Sequence, residues 1–173
     1  MSKLKKENVS FLVKGAVIGA LYAVLTVAVS PISYGPLQFR VSEALTILPA
    51  LTPAAIPGLF VGCVIANAIG VALGMNIAAD IVFGSVATLC AAFVSYAVRK
   101  VTIKGFPILS FLPPILFNAV VIGLELSLFV PESGAFLYSA ATVGVGEFGA
   151  VVLLGIPVWF ACRRTKVFDR FKR

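Results

Sequence analysis

Five ionisable side chains, Arg40, Glu43, Asp80, Glu125 and Glu147, stand within or beside long stretches of uncharged sequence. A charged group at the centre of a membrane helix costs about 2.5–3.5 kcal/mol on insertion scales, so each needs a partner, a ligand or a proton to manage. Asn118 and Glu125 are seven residues apart and share one helical stripe with Ile122. Arg40 and Glu43 are three apart and read either as a structural ion pair or as part of a binding site. Asp80 reads either as a helix-start cap beside Asn76 or as a site residue. The set holds four carboxylates to one arginine, which suits a cationic or donor-rich small molecule better than an anion. A guanine-like edge can offer a carboxylate two parallel donors. Tyr34, Phe39, Phe83, Phe117, Phe136 and Tyr138 supply candidate stacking faces.

Other chemistry is excluded. The chain has no histidine, which removes the Ser-His-Asp triad, the Cys-His dyad and the commonest zinc ligand. Cys63, Cys90 and Cys162 make no CxxC pair and read as small buried hydrophobes. No metal site and no cofactor is expected. There is no G-x-x-x-x-G-K-[ST] loop, so transport driven by ATP would need another subunit to hydrolyse it.

The elements that position these groups must be membrane helices. Of 173 residues, 60% are hydrophobic and only 12% charged, with mean hydropathy +1.07, against about 25% charged in soluble domains. Gaps between charges, cut at prolines and glycines, predict one transmembrane domain over 1–173. Its spans fall at roughly 9–30, 40–53, 56–73, 76–98, 106–130 and 136–162. The second and third form a tight hairpin punctuated by Pro49, Pro53, Pro57 and Gly58, and Pro113 and Pro114 are expected to kink the fifth. The first helix ends where Pro31, Tyr34, Gly35 and Pro36 cluster. Lys14 inside the first segment argues against a signal peptide.

Charge position supports six spans. With both termini cytoplasmic, Lys3, Lys5, Lys6 and Lys14, then Arg99, Lys100 and Lys104, then Arg163, Arg164, Lys166, Arg170, Lys172 and Arg173 all lie inside, leaving Arg40 outside. The basic tail reads as a juxtamembrane anchor on anionic lipid and not as a nucleic-acid arm. At about 1.5 Å per residue, Arg40, Glu43, Asp80 and Glu125 fall near the outer surface, and Asn118 and Glu147 near the middle. That distribution predicts an outward-facing pocket with an apolar floor. In the first helix, Gly15, Gly19 and Ala23 form one small-residue ridge and Ala16 with Ala20 an adjacent one. Such ridges serve a partner helix or packing within the bundle.

Several blocks carry a resemblance: GPLQFRVSEALTILP at Gly35–Pro49, ANAIG at Ala66–Gly70, DIVFGSVATL at Asp80–Leu89, PPILFNAVVIG at Pro113–Gly123 and VGVGE at Val143–Glu147. Over nearly its whole length the chain resembles the QueT family, substrate-binding S components of energy-coupling factor (ECF) transporters linked to uptake of queuosine precursors. The resemblance implies a six-helix bundle in the bacterial plasma membrane that docks on a transmembrane coupling protein and two ATPases. It implies docking through an A-x-x-x-A ridge, matched by Ala16 and Ala20 and flanked by Gly19 and Ala23. The implied cargo is a 7-deazaguanine such as the 7-aminomethyl form. Its expected contacts come from Gln38, Arg40, Glu43, Asn67, Asp80, Asn118, Glu125, Tyr138 and Glu147. The alternative is a self-sufficient transporter coupled to protons or cations through Asp80, Glu125 or Glu147. An intramembrane enzyme is disfavoured, because no acid pair stands beside a nucleophile.

Overall fold

The computed structural model describes residues 3–34 and 38–168. Gly35 and Pro36, expected to end the first helix, and Arg170, Lys172 and Arg173 of the basic tail lie outside the described residues. The described chain is all helical, with no strand among these residues beyond an isolated bridge between Ile103 and Phe106. Its α-helices are α1 (Lys3–Ala28), α2 (Ser30–Ser33), α3 (Ala55–Ala72), α4 (Ala79–Val98), α5 (Leu112–Phe129), α6 (Phe136–Phe148) and α7 (Gly155–Thr165). Among the described residues, five helical stretches are long and apolar enough to cross a membrane: Lys5–Ala28, Ala55–Ala72, Ala79–Val98, Ile108–Phe129 and Phe136–Thr165.

The expected second span is a 3₁₀ helix, Val41–Ala50, of ten residues. Runs beyond three or four residues are uncommon in this tight winding, and its surroundings explain why it persists here. Residues Ser42 to Pro49 are all buried, and the segment touches α1, α3, α4 and α7. It forms the central rod around which the longer helices stand. Around it α1 packs on α3, α3 on α4, α4 on α5 and α5 on α6.

One expectation is corrected in detail. Pro113 and Pro114 do not kink a continuous helix. They occupy the first turn of α5, where a missing N–H has no intrahelical partner to lose, and a short 3₁₀ turn, Ile108–Phe111, precedes them. The last span is one 30-residue stretch whose middle, Gly149–Leu154, is wound as a π-helix between α6 and α7. Such insertions often accompany functional sites, and this one begins two residues after Glu147.

The α1–α3 contact shows why small residues recur. Gly15 and Gly19 of α1 face Gly58 and Gly62 of α3, and a Cβ added at Gly62 would lie 2.6 Å from the Gly19 carbonyl oxygen. Only glycine lets the two backbones approach this closely. One apolar core joins Ile18, Tyr22, Ala23, Leu45, Leu48, Leu59, Cys63 and Ala92. Another joins Ile47, Phe111, Val151 and Trp159, with Phe106 packed beside it. Lys14 donates to the Phe168 carbonyl at 3.2 Å, which brings α1 against the residues that follow α7.

Candidate functional site

The polar residues singled out by sequence gather inside this apolar bundle. Arg40, Glu43, Asn67, Asp80, Asn118, Glu125 and Glu147 are all buried, with Glu125 1%, Asp80 2% and Glu147 3% exposed. They come from five elements: the Val41–Ala50 helix and its N-cap, α3, α4, α5 and α6. Asn118, Ile122 and Glu125 are buried together, as their seven-residue spacing requires.

Arg40 is the hub. It lies within electrostatic range of Glu43, Asp80, Glu125 and Glu147. Its Nε donates to the Ser33 carbonyl at 3.4 Å, and its guanidinium lies 5.3 Å from the centre of the Tyr34 ring, a cation–π geometry. Tyr34 in turn donates to the Ala66 carbonyl at 2.6 Å. Burial raises the Tyr34 phenol above its ordinary pKa, which keeps it a donor.

Glu43 is held from α1. The Tyr22 hydroxyl donates to its Oε1, so the nearest hydrogen bond to this carboxyl comes from a tyrosine and not from Arg40. One helical turn on, Thr26 Oγ1 meets Ser42 Oγ at 2.6 Å while bonding the Tyr22 carbonyl at 2.9 Å. Neighbouring residues of the central rod are thus clamped by neighbouring turns of α1. Sequence reading missed Tyr22 and Thr26. The signal was a polar pair four residues apart in an otherwise apolar helix, where both side chains share a face.

Asp80 is not a helix cap. The N-cap of α4 is Ala78 and no side chain caps it. Asn67 instead donates its Nδ2 to the Asp80 backbone carbonyl at 2.7 Å. Gly84 makes room for that amide, since a Cβ there would lie 2.9 Å from Asn67 Nδ2. Across from α4, Glu125 faces the Asp80 carboxyl. Glu147 faces the Asn118 amide and lies within range of Glu43.

Many of these groups lack a hydrogen-bond partner. Arg40 Nη2, Glu43 Oε2, Asn67 Oδ1, Asp80 Oδ1, Ser85 Oγ, both oxygens of Glu125 and Glu147 Oε2 are buried and unpaired. Leaving one buried polar group unpaired costs about 1–3 kcal/mol, more when charged. So many in one region is far from ordinary packing. Among the described residues no three carboxyls or thiols stand close enough to hold a metal ion.

A cavity of about 400 Å³ is lined by Tyr34, Gln38, Glu132, Ser133, Tyr138 and Ser139 among others. Gln38 is buried with φ 44°, a left-handed conformation that a non-glycine residue adopts only under local constraint. Tyr138 is 65% exposed and belongs to this mouth, not to the buried cluster. Of the small residues on α1, Gly19 and Ala23 are buried and Gly19 is covered by α3. Ala16 and Ala20 remain exposed along an apolar groove with Phe11, Leu12, Val61 and Ile65.

Five long apolar helices packed around a polar interior define a multi-pass membrane protein. The QueT transporter family profile matches residues 12–164. The chain belongs to that family of transporters. A relative from Lactococcus lactis subsp. cremoris (strain MG1363), the queuosine precursor transporter QueT, is 50% identical over 44 residues. That segment covers 24% of this chain and 26% of the relative. No solved structure matches the chain.

Proposed function

We propose that the chain is the substrate-capturing S component of an ATP-driven ECF-type importer, taking up a queuosine precursor of the 7-deazaguanine class. The observation that carries this reading is the set of unpaired polar atoms on Arg40, Glu43, Asn67, Asp80, Glu125 and Glu147, sealed inside an apolar bundle. A nitrogen-rich heterocycle supplies the donors that these acceptors lack, and Arg40 supplies the one fixed donor suited to a ring carbonyl. The family and the named relative support the cargo class.

In this reading the Val41–Ala50 helix counts as a sixth, short crossing and residues 1–173 act as one transmembrane unit. Both termini then face the cytoplasm of a bacterial cell, consistent with the basic residues at one end of the bundle. Ligand enters past Gln38 and Tyr138, and Glu147 with Asn118 reads the donor edge of the ring. The exposed Ala16 and Ala20 of α1 meet the transmembrane coupling protein, and two ATPase subunits drive reorientation.

The test is equilibrium binding of 7-aminomethyl-7-deazaguanine to purified wild-type protein and to Glu147→Gln. A desolvated charge-assisted bond of about 1.5–3 kcal/mol predicts a ten- to hundredfold loss. Unchanged affinity in the variant refutes the role of Glu147. Uptake by the protein alone in liposomes under an ion gradient would favour a self-sufficient carrier instead.

A further inference from the structure

Cations from two distant parts of the chain meet at one corner of the bundle. Arg99 and Lys100 follow α4 and Lys104 stands in the turn after them, while Arg163, Arg164 and Lys166 end α7. Aromatic contacts join the two groups. The Phe106 ring lies 5.0 Å from the Trp159 ring and 6.0 Å from the Phe160 ring. Arg163 and Arg164 stand one helical turn beyond Trp159 and Phe160 on the same faces of α7. The Arg163 guanidinium lies 5.0 Å from the centre of the Trp159 ring, and that of Arg99 lies 3.5 Å from the Tyr96 ring, so both are steadied by cation–π contacts. Among the described residues none of the six cations is paired with a carboxylate.

Two of the lysines sit in backbone conformations that lysine disfavours. Lys104 (φ 50°) and Gly105 (φ 77°) form a two-residue turn, closed by reciprocal backbone hydrogen bonds between Ile103 and Phe106 at 2.9 and 3.0 Å. Such a turn calls for asparagine or glycine at its first position. Lys166 (φ 52°) follows α7 where glycine is the usual residue. Both lysines are exposed, so neither serves the core. The helix dipole accounts for positive charge at the end of α7 but not for Lys104, which belongs to no helix. Charge is the property that both positions share. Around these cations Val101, Ile103, Ile108 and Phe160 expose apolar side chains. The surface therefore calls for an occupant that is anionic and apolar at once. A phospholipid supplies both a phosphate and acyl chains, whereas an acidic protein face answers only the charge.

We propose that the turn carrying Lys104 and the end of α7 together form a binding site for an anionic phospholipid, its headgroup bridging the two cationic groups across the Phe106–Trp159 contact. The bound lipid ties the α4–α5 connection to α7. This site is separate from the buried polar cluster and does not rest on the reading of the cargo.

The experiment titrates the full chain in detergent with phosphatidylglycerol and with phosphatidylcholine, counting bound lipid by native mass spectrometry and following thermal unfolding in parallel. Wild type is expected to prefer phosphatidylglycerol by at least about tenfold. In the double variant Lys104→Gly, Lys166→Gly, glycine suits both backbone conformations, so the thermal midpoint without anionic lipid should match or exceed that of wild type. Its affinity for phosphatidylglycerol should fall by about fivefold for each lysine removed, and Lys104→Arg should keep the wild-type affinity. No preference in wild type overturns the site and leaves the basic face to an acidic protein partner. A preference that survives in the double variant overturns it as well. So does a double variant that melts below wild type without lipid, because the lysines then serve the fold. A midpoint raised as much by inorganic phosphate as by phosphatidylglycerol overturns it in favour of a free-anion site.

Discussion

Replacing Tyr22 with phenylalanine removes one hydroxyl and keeps the ring. Tyr22 is fully buried and its hydroxyl donates to Glu43 Oε1, while Glu43 Oε2 has no partner. In Tyr22→Phe the Glu43 carboxyl loses the hydroxyl donor on Oε1, and it is free to rotate toward Arg40 or take up a proton. An unsatisfied buried group costs about 1–3 kcal/mol, so ligand affinity should fall by about fivefold to a hundredfold. The ring still fills its place among Ile18, Leu59 and Cys63, so packing loss is small. Titration calorimetry with 7-aminomethyl-7-deazaguanine gives the affinity, and thermal unfolding in detergent shows that the fold persists. A double-mutant cycle with Glu43→Ala isolates the pair, and a coupling of about 1 kcal/mol or more is expected for residues in direct contact. Wild-type affinity in Tyr22→Phe, or strictly additive effects in the cycle, would refute the idea that α1 orients the carboxyl.

Gly62→Leu drives a side chain into the backbone of α1, since even a Cβ lies 2.6 Å from the Gly19 oxygen; overpacking of about 1–3 kcal/mol should lower the thermal midpoint. Ala16→Trp and Ala20→Trp, on exposed sites, should leave ligand affinity within about twofold in the isolated protein while cutting uptake in cells at least tenfold, given that 1.4 kcal/mol of lost docking is tenfold. Uptake at the wild-type level with both tryptophans present would exclude this face from docking.

Much of this arrangement was legible in the residues. The helical stretches follow from gaps between charges, and the burial of Asp80, Glu125 and Glu147 follows from the cost of placing carboxylates against lipid. The seven-residue stripe of Asn118 and Glu125 needed only helical periodicity. What stayed hidden depends on tertiary contact. Nothing local announces that Val41–Ala50 winds as a 3₁₀ helix, because that choice follows from complete burial among four neighbouring helices. The π-turn after Glu147 has no composition signal either. The small residues of α1 were visible, yet only the position of α3 divides them into Gly19, covered, and Ala16 and Ala20, exposed. Tyr22 and Thr26 went unnoticed because tyrosine and threonine are unremarkable until their partners, Glu43 and Ser42, are found across a loop.

The tight winding of the central rod makes its length unusually unforgiving. Each residue of a 3₁₀ helix advances about 2 Å and turns about 120°. Deleting one residue between Glu43 and Pro49 would therefore shift Glu43 along the axis by about 2 Å and swing it a third of a revolution, away from Tyr22. Lengthening the exposed turn around Lys104 and Gly105, where φ is already positive and a Cβ on Gly105 meets nothing, carries no such penalty. Insertions and deletions should thus be tolerated at that turn and excluded from the rod.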